Sequence, residues 1–194
     1  MVPRLVCLTL LATGSVGAQS PTVSVGLEHW TLWSNAEAPL STLGLAASVG
    51  LEIDGWQVSL TAGAMSAVSE SVTVLEPLTF WVVRPEVKLT VVSGEYVSGV
   101  LALTPVSFVM PVGTVRSTTN PWCRLTIGPL CPPEDISTLA PLNVGTDAGV
   151  AMEVKVSKHL LLSLTGAFHG YWFLGDLGYG LRVGLSLDVR FDDE

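Results

Sequence analysis

The feature that most constrains the fold is the strict alternation of apolar and polar residues in YGLRVGLSLDVRF, residues 179–191. One parity carries Tyr, Leu, Val and Phe, and the other carries Gly, Arg, Ser and Asp. Because successive side chains of a β-strand point to opposite sides, this period predicts a strand with one apolar and one polar face. The fold then depends on whether the apolar face packs in a soluble core or faces lipid.

Similar alternation recurs along the chain and predicts an all-β fold. Three short links (54–55, 93–95 and 157–159) alternate with longer links at 34–41, 67–77, 111–141 and 174–178. In an up-and-down arrangement all short turns lie at one end and all long links at the other, as in bacterial outer-membrane barrels. A soluble eight-stranded ligand-binding barrel shares this pattern and stays an alternative. The eight predicted strands are at about 22–33, 42–53, 56–66, 78–92, 96–110, 142–156, 160–173 and 179–191.

The distribution of large and small side chains between the two faces of each strand favours apolar faces that point outward. Hydrophobic residues make up 48% of the chain and charged residues 13%, yet no apolar run of about 18 residues follows the N-terminal segment, so a helical span is not expected. The polar faces are rich in Gly, Ala and Ser, and eight strands enclose room for only a single filling of side chains. We therefore predict an eight-stranded antiparallel up-and-down transmembrane β-barrel.

Aromatic residues near the strand ends predict two girdles at the membrane interfaces. The long-link end carries Trp30, Trp33, Phe80, Trp81, Phe108, Tyr171, Trp172, Phe173 and Tyr179, and the short-turn end carries Trp56, Tyr96 and Phe191.

Acids and bases occur in nearly equal numbers on the polar faces, which also carry Glu28 and His169. An enclosed charge without a partner costs several kcal/mol, so we expect a paired network inside the barrel. It is either a salt-bridged plug or a selective pore, and the small interior favours the plug. The predicted members are Glu52, Arg84, Glu86, Lys88, Asp147, Glu153, Lys155, Arg182, Asp188 and Arg190.

The N-terminus predicts export. Residues 1–18 combine Arg4, an apolar run and a small-residue cleavage site, as in a cleaved signal peptide, which leaves a barrel domain at 19–194. In an oxidising compartment the closely spaced Cys123 and Cys131 are expected to form a disulfide. The formal net charge of −8 argues against nucleic acid as a partner. The sequence gives no sign of a metal site or a cofactor.

Two further features have a functional and a structural interpretation. Pro85 and Pro105 lie nearly opposite each other on neighbouring strands and cannot donate ladder hydrogen bonds; we favour a paired β-bulge over a lateral opening for an apolar ligand. The link at 111–141 is far longer than ordinary loops, so it is either a surface for an extracellular ligand or a variable cap.

His29 and His169 are candidate bases, but no motif-like hydroxyl accompanies His169, and we expect no enzymatic activity.

Over residues 22–191 the chain resembles the small eight-stranded outer-membrane proteins of the OmpA and OmpX kind in architecture. Its last strand is similar to the terminal strand that the assembly machinery of such proteins reads, with Gly184 and the closing Phe191 in matching positions; Asp192, Asp193 and Glu194 follow where the aromatic is usually last.

This resemblance implies a non-enzymatic protein of a Gram-negative cell envelope with a porin-like barrel. Its expected partners are membrane lipid, lipopolysaccharide and the outer-membrane assembly machinery. We expect a structural or surface-interaction role through the long external loops. A small channel or carrier for solutes or apolar molecules is the alternative.

Overall fold

The computed structural model describes residues 19–33, 40–67, 79–116, 133–135, 142–173 and 176–191. Eight strands close into an antiparallel barrel in the order β1-β10-β9-β8-β5-β4-β3-β2, and β6 and β7 form a separate two-stranded sheet. The predicted fold class, an eight-stranded antiparallel up-and-down barrel of the transmembrane kind, is confirmed. The strands are β1 (Gln19–Trp33), β2 (Leu40–Ile53), β3 (Trp56–Ala67), β4 (Thr79–Ser93), β5 (Val97–Val112), β6 (Thr114–Arg116), β7 (Pro133–Asp135), β8 (Asn143–Lys155), β9 (Leu160–Phe173) and β10 (Asp176–Arg190).

Some predictions fall outside the described residues. They are the signal peptide at 1–18, the Cys123–Cys131 disulfide, the tail at 192–194 and most of the link at 111–141. The short hairpin of β6 and β7 lies within that link and was not predicted. Within the described ranges, no helix is long and apolar enough to cross a membrane.

The apolar faces of the strands point outward and the charged faces point inward. Val150 is 60% exposed and Leu181 49%, whereas Arg182 and Glu153 are each 3% exposed. Soluble monomers rarely expose large contiguous apolar patches, and such a patch marks a surface that another apolar phase covers. A soluble barrel would reverse this arrangement, with its bulk inside and its charges in water.

The closing seam of the barrel is regular. Strand β1 pairs with β10 without a shift from Thr22 opposite Arg190 to Trp33 opposite Tyr179. Beyond the last pair, the Phe191 backbone N–H donates to the Pro21 carbonyl at 2.9 Å. The terminal strand is therefore paired with the first from Tyr179 to Arg190.

Strand β5 is irregular because it contains a β-bulge. Pro105 and Val106 together oppose the single residue Thr146 of β8, the two-against-one count of a bulge. On the other side of β5 the register with β4 shifts between Val83 and Val87, a stretch that includes Pro85. Thr146 Oγ1 donates to the Thr104 carbonyl at 2.8 Å, so a hydroxyl satisfies a backbone acceptor beside the bulge.

The bulge reverses the alternation of β5. Before it the even-numbered residues face the lumen, as Val100 does; after it the odd-numbered ones do, as Val109 does. One inserted residue moves every following side chain to the opposite face. Phe108 consequently points out to the membrane side, 38% exposed.

The girdle prediction is correct for most of the described aromatic side chains and wrong for three. Trp30 and Phe80 are buried at 2% and 3% exposure, and Tyr171 stacks on the buried His169. All three lie an even number of residues from a buried polar residue on the same strand: Glu28, Arg84 and His169, respectively. This odd or even spacing, rather than closeness to a strand end, decides the direction in which they point. The exposed aromatic side chains are Trp56, Trp81, Tyr96, Phe108, Trp172, Tyr179 and Phe191.

Candidate functional site

The centre of the lumen is crossed by a bidentate ion pair. Arg84 on β4 donates from one terminal nitrogen to Glu28 Oε2 at 3.0 Å and from the other to Glu28 Oε1. Both side chains are buried, Arg84 at 2% exposure. Parallel N–H···O bonds between a guanidinium and a carboxylate are among the strongest hydrogen bonds in proteins. The pair therefore ties β4 to β1 across the lumen.

A second arginine joins this pair to the carboxylates of Glu86 and Asp147. Arg182 on β10 lies 3.4 Å from Glu28, 3.1 Å from Glu86 and 3.3 Å from Asp147, measured between nitrogen and oxygen atoms. Lys88 Nζ lies 3.7 Å from Glu86. We call this group the ion network; its members are Glu28, Arg84, Glu86, Lys88, Asp147 and Arg182.

A histidine extends the ion network on β9. His169 Nδ1 lies 2.7 Å from Asp147 Oδ1, and only 1% of the residue is exposed. Its ring packs at 4.6 Å from Trp30 and 5.7 Å from Tyr171 between centroids. An imidazole enclosed by aromatic rings and bonded to a carboxylate fits a structural role for His169 better than the role of a base.

Towards the long-link end the lumen is filled by apolar side chains. This group, the apolar plug, consists of Trp30, Met65, Phe80, Val82 and Val109. Trp30 connects it to the ion network, because its indole N–H donates to Glu28 Oε2 at 3.1 Å. The apolar plug was not predicted from the sequence. The available signal was that Trp30 lies two residues from Glu28 on the same strand, so both side chains point to the same side.

Small residues make room for the long charged side chains. Ser24, Gly26, Ala46, Ser48 and Gly184 line a cavity of about 40 Å³, together with every member of the ion network except Asp147. Since one water needs about 10–15 Å³ of such space, the cavity has room for about three waters. It is far too small for an organic solute.

The turn end of the lumen holds a second group of charges. Arg190 Nε lies 2.9 Å from Glu52, and another Arg190 nitrogen donates to Glu153 at 3.3 Å. Asp188 is 2% exposed and accepts a hydrogen bond from Ser186 at 3.1 Å. We call Glu52, Glu153, Asp188 and Arg190 the turn-end cluster.

Nine of the ten predicted lumen residues are buried or half-buried on the inner face, divided between the ion network and the turn-end cluster. Lys155 is the exception. It is the last residue of β8 and is exposed at the turn end, so placing it inside the lumen was wrong. Gly184 lines the small-residue wall, and Phe191 is 52% exposed just beyond β10.

No family model matches the chain, and no curated protein gives a significant match. Solved structures do share its fold. Neisserial surface protein A (NspA) has a TM-score of 0.63 at 9% identity, over 88% of this chain and 97% of that one. Ail, the attachment invasion locus protein of Yersinia pestis, in complex with the heparin analogue sucrose octasulfate, has a TM-score of 0.55 at 13% identity, over 90% and 99%.

The outer membrane protein OprG from Pseudomonas aeruginosa has a TM-score of 0.53 at 7% identity, over 93% of this chain and 99% of that one. At such low identities these likenesses concern the fold. They confirm the architectural resemblance to small eight-stranded outer-membrane barrels.

Proposed function

We propose that the chain is a non-enzymatic outer-membrane protein whose sealed barrel carries the long links to the cell surface. Its role is structural or in surface contact, with the link at 111–141 as the main contact region. The observation that supports this best is the double closure of the lumen. The apolar plug blocks the long-link end, and the ion network blocks the middle.

The outer surface supports residence in a bilayer. Its exposed apolar side chains occur on all eight barrel strands, and lipid tails provide the apolar surroundings that these side chains need. Membrane lipid and lipopolysaccharide are the corresponding partners, and the last strand, with Phe191 just beyond its end, is the signal offered to the assembly machinery. Export through a cleaved signal peptide at 1–18 belongs to the same proposal.

The closed lumen argues for a surface role over the channel alternative. A solute passing along the axis would have to displace the apolar plug and then separate buried ion pairs. The bulge at Pro105 offers no apolar side route either, because the adjoining inner face carries buried polar residues such as Thr104, Ser107 and Asp147. NspA is a surface protein and Ail an attachment invasion locus protein, which is consistent with contact through external loops.

Conductance in planar bilayers tests the closure. We expect the refolded protein, shown to be folded by its heat-modifiable gel shift, to give no discrete openings. Reproducible unitary openings would contradict the proposal and support the channel.

Surface labelling of intact cells tests the orientation. An epitope inserted in the link at 111–141 should be accessible to antibody, and the same epitope inserted at the 157–159 turn should become accessible only after the outer membrane is permeabilised. The reverse pattern would overturn the orientation.

A further inference from the structure

The closing seam between β1 and β10 is weakest at its long-link end. Its last pair there joins Trp33 and Tyr179, where β1 ends, and local opening starts most easily at strand ends. The contact of Arg182 with Glu28 ties the same two strands at 3.4 Å, but in the middle of the lumen. Register is weakly specified on Gly-rich strands. The inner face of β10 carries Gly178, Gly180 and Gly184.

A tyrosine of β9 lies across this end of the seam on the lumen side. Tyr171 is the cross-strand partner of Gly178, and its ring occupies the space over that glycine. A Cβ atom on Gly178 would lie 2.5 Å from Tyr171 Cε2 and 2.5 Å from the hydroxyl oxygen. The hydroxyl donates to the Trp33 carbonyl oxygen at 2.9 Å. The side chain therefore starts on β9, passes over β10 and ends on β1.

The ring of Tyr171 is held in place by His169, two residues earlier on the same face. The two ring centroids are 5.7 Å apart and the ring planes are inclined by 18°. His169 is itself fixed by Asp147, with 2.7 Å between Nδ1 and Oδ1. It covers Gly145, where a Cβ atom would lie 2.6 Å from His169 Cε1. A glycine on each neighbouring strand thus leaves room for one of the two rings.

Trp33 is also engaged on the outer face of the barrel. Its ring stacks on that of Tyr179, with 5.8 Å between centroids and an angle of 22°. Tyr179 in turn stacks on Phe168 of β9 at 6.2 Å and 13°. The same three strands are therefore joined by stacked rings outside and by the Tyr171 hydroxyl inside.

We propose that Tyr171 is a clasp that keeps the closing seam shut at the long-link end and fixes its register. Tyr171 and Gly178 belong to consecutive paired strands, so β9 and β10 set the ring before β1 arrives. Trp33 is 138 residues away along the chain and is captured last. A slip of the seam by two residues would move its carbonyl by about 7 Å, beyond the reach of the hydroxyl. The clasp concerns how the barrel closes, which goes beyond the surface role proposed above.

Hydrogen exchange tests the clasp in Tyr171→Phe, which removes the hydroxyl and keeps the ring. The protein is refolded in detergent micelles, and its heat-modifiable gel shift confirms that it is folded. We expect the backbone amides of 31–33 and 179–181 to exchange about fivefold faster, because one hydrogen bond that opposes local opening is lost. The amides of 22–24 and 188–190, at the turn end of the same seam, should keep their rates.

Two glycine variants test the position of the ring. In Gly178→Ala the added methyl group takes the space of the ring, so the amides at the long-link end should exchange about tenfold faster or more. Adding Tyr171→Phe should then change little, because the hydroxyl has already left the Trp33 carbonyl. The matched control is Gly170→Ala, beside Tyr171 on the outer face. A Cβ atom there meets nothing within 4 Å, and the rates should stay unchanged.

Unchanged exchange at 31–33 in Tyr171→Phe, or equal acceleration at both ends of the seam, would overturn the proposal. Fully additive effects of Tyr171→Phe and Gly178→Ala would also overturn it, since they would show that the ring does not lie over the glycine. If Gly178→Ala fails to fold, the comparison of the two seam ends in Tyr171→Phe decides alone.

Discussion

The lumen is closed by two groups that rely on different interactions. The apolar plug fills its end by packing, and removing bulk from it leaves a void. The ion network fills the middle with long charged side chains set against a wall of small residues. The ion network is sensitive to the loss of a single charge, because the partner of that charge is left enclosed and unpaired. The comparison teaches that one small barrel can be closed by packed apolar side chains at one height along its axis and by paired charges at the next.

The largest effect is expected from breaking charge balance. Arg84→Met deprives Glu28 of its bidentate partner and should lower the free energy of unfolding by about 3–5 kcal/mol. Urea titration of the protein in lipid vesicles measures this loss. The double variant Glu28→Gln/Arg84→Met should recover much of it, since no unpaired carboxylate is left. A loss below about 1 kcal/mol in the single variant would mean that the network is not enclosed as described.

A loss of volume in the apolar plug should rank next. Phe80→Ala removes a ring that is 3% exposed and should cost about 3 kcal/mol in the same unfolding titration. Phe108→Ala is the matched control, because its ring lies on the outer face, where lipid can take its place, and it should cost clearly less. Equal losses would contradict the inward placement of Phe80.

The smallest effects should come from the wall that makes room for the network. A Cβ atom on Gly26 would lie 2.6 Å from the Leu185 carbonyl oxygen and 2.8 Å from Ser186 Cβ, so Gly26→Ala should cost about 1–3 kcal/mol. On Gly184 the nearest atom would be Glu28 Cγ at 3.7 Å, an ordinary contact. Gly184→Ala should therefore change stability by no more than about 0.5 kcal/mol. A similar loss in both variants would show that the wall is not tight at Gly26.

The strands and the direction of their faces could be predicted from the sequence because both follow from a period of two. Val150 and Leu181 point outward and Glu153 and Arg182 inward, as the alternation indicated. Which charges meet could not be predicted. Arg84 and Glu28 are 56 residues apart, and their encounter depends on the tilt and stagger of the barrel, which no local pattern encodes.

The bulge in β5 shows a second limit. Two prolines indicated an irregular seam, but the one-residue change of parity after Pro105 is a property of pairing with β8, not of β5 alone. The same holds for Lys155, whose parity points inward although the strand ends before the barrel can enclose it. The odd or even position of a residue decides the side to which its side chain points only within a paired strand.

The double closure has a practical consequence. Every side chain of the apolar plug and of the ion network belongs to a barrel strand, so the barrier inside the lumen does not depend on the segments that join the strands at the long-link end. Foreign peptides grafted into those segments should therefore leave the barrel interior unchanged.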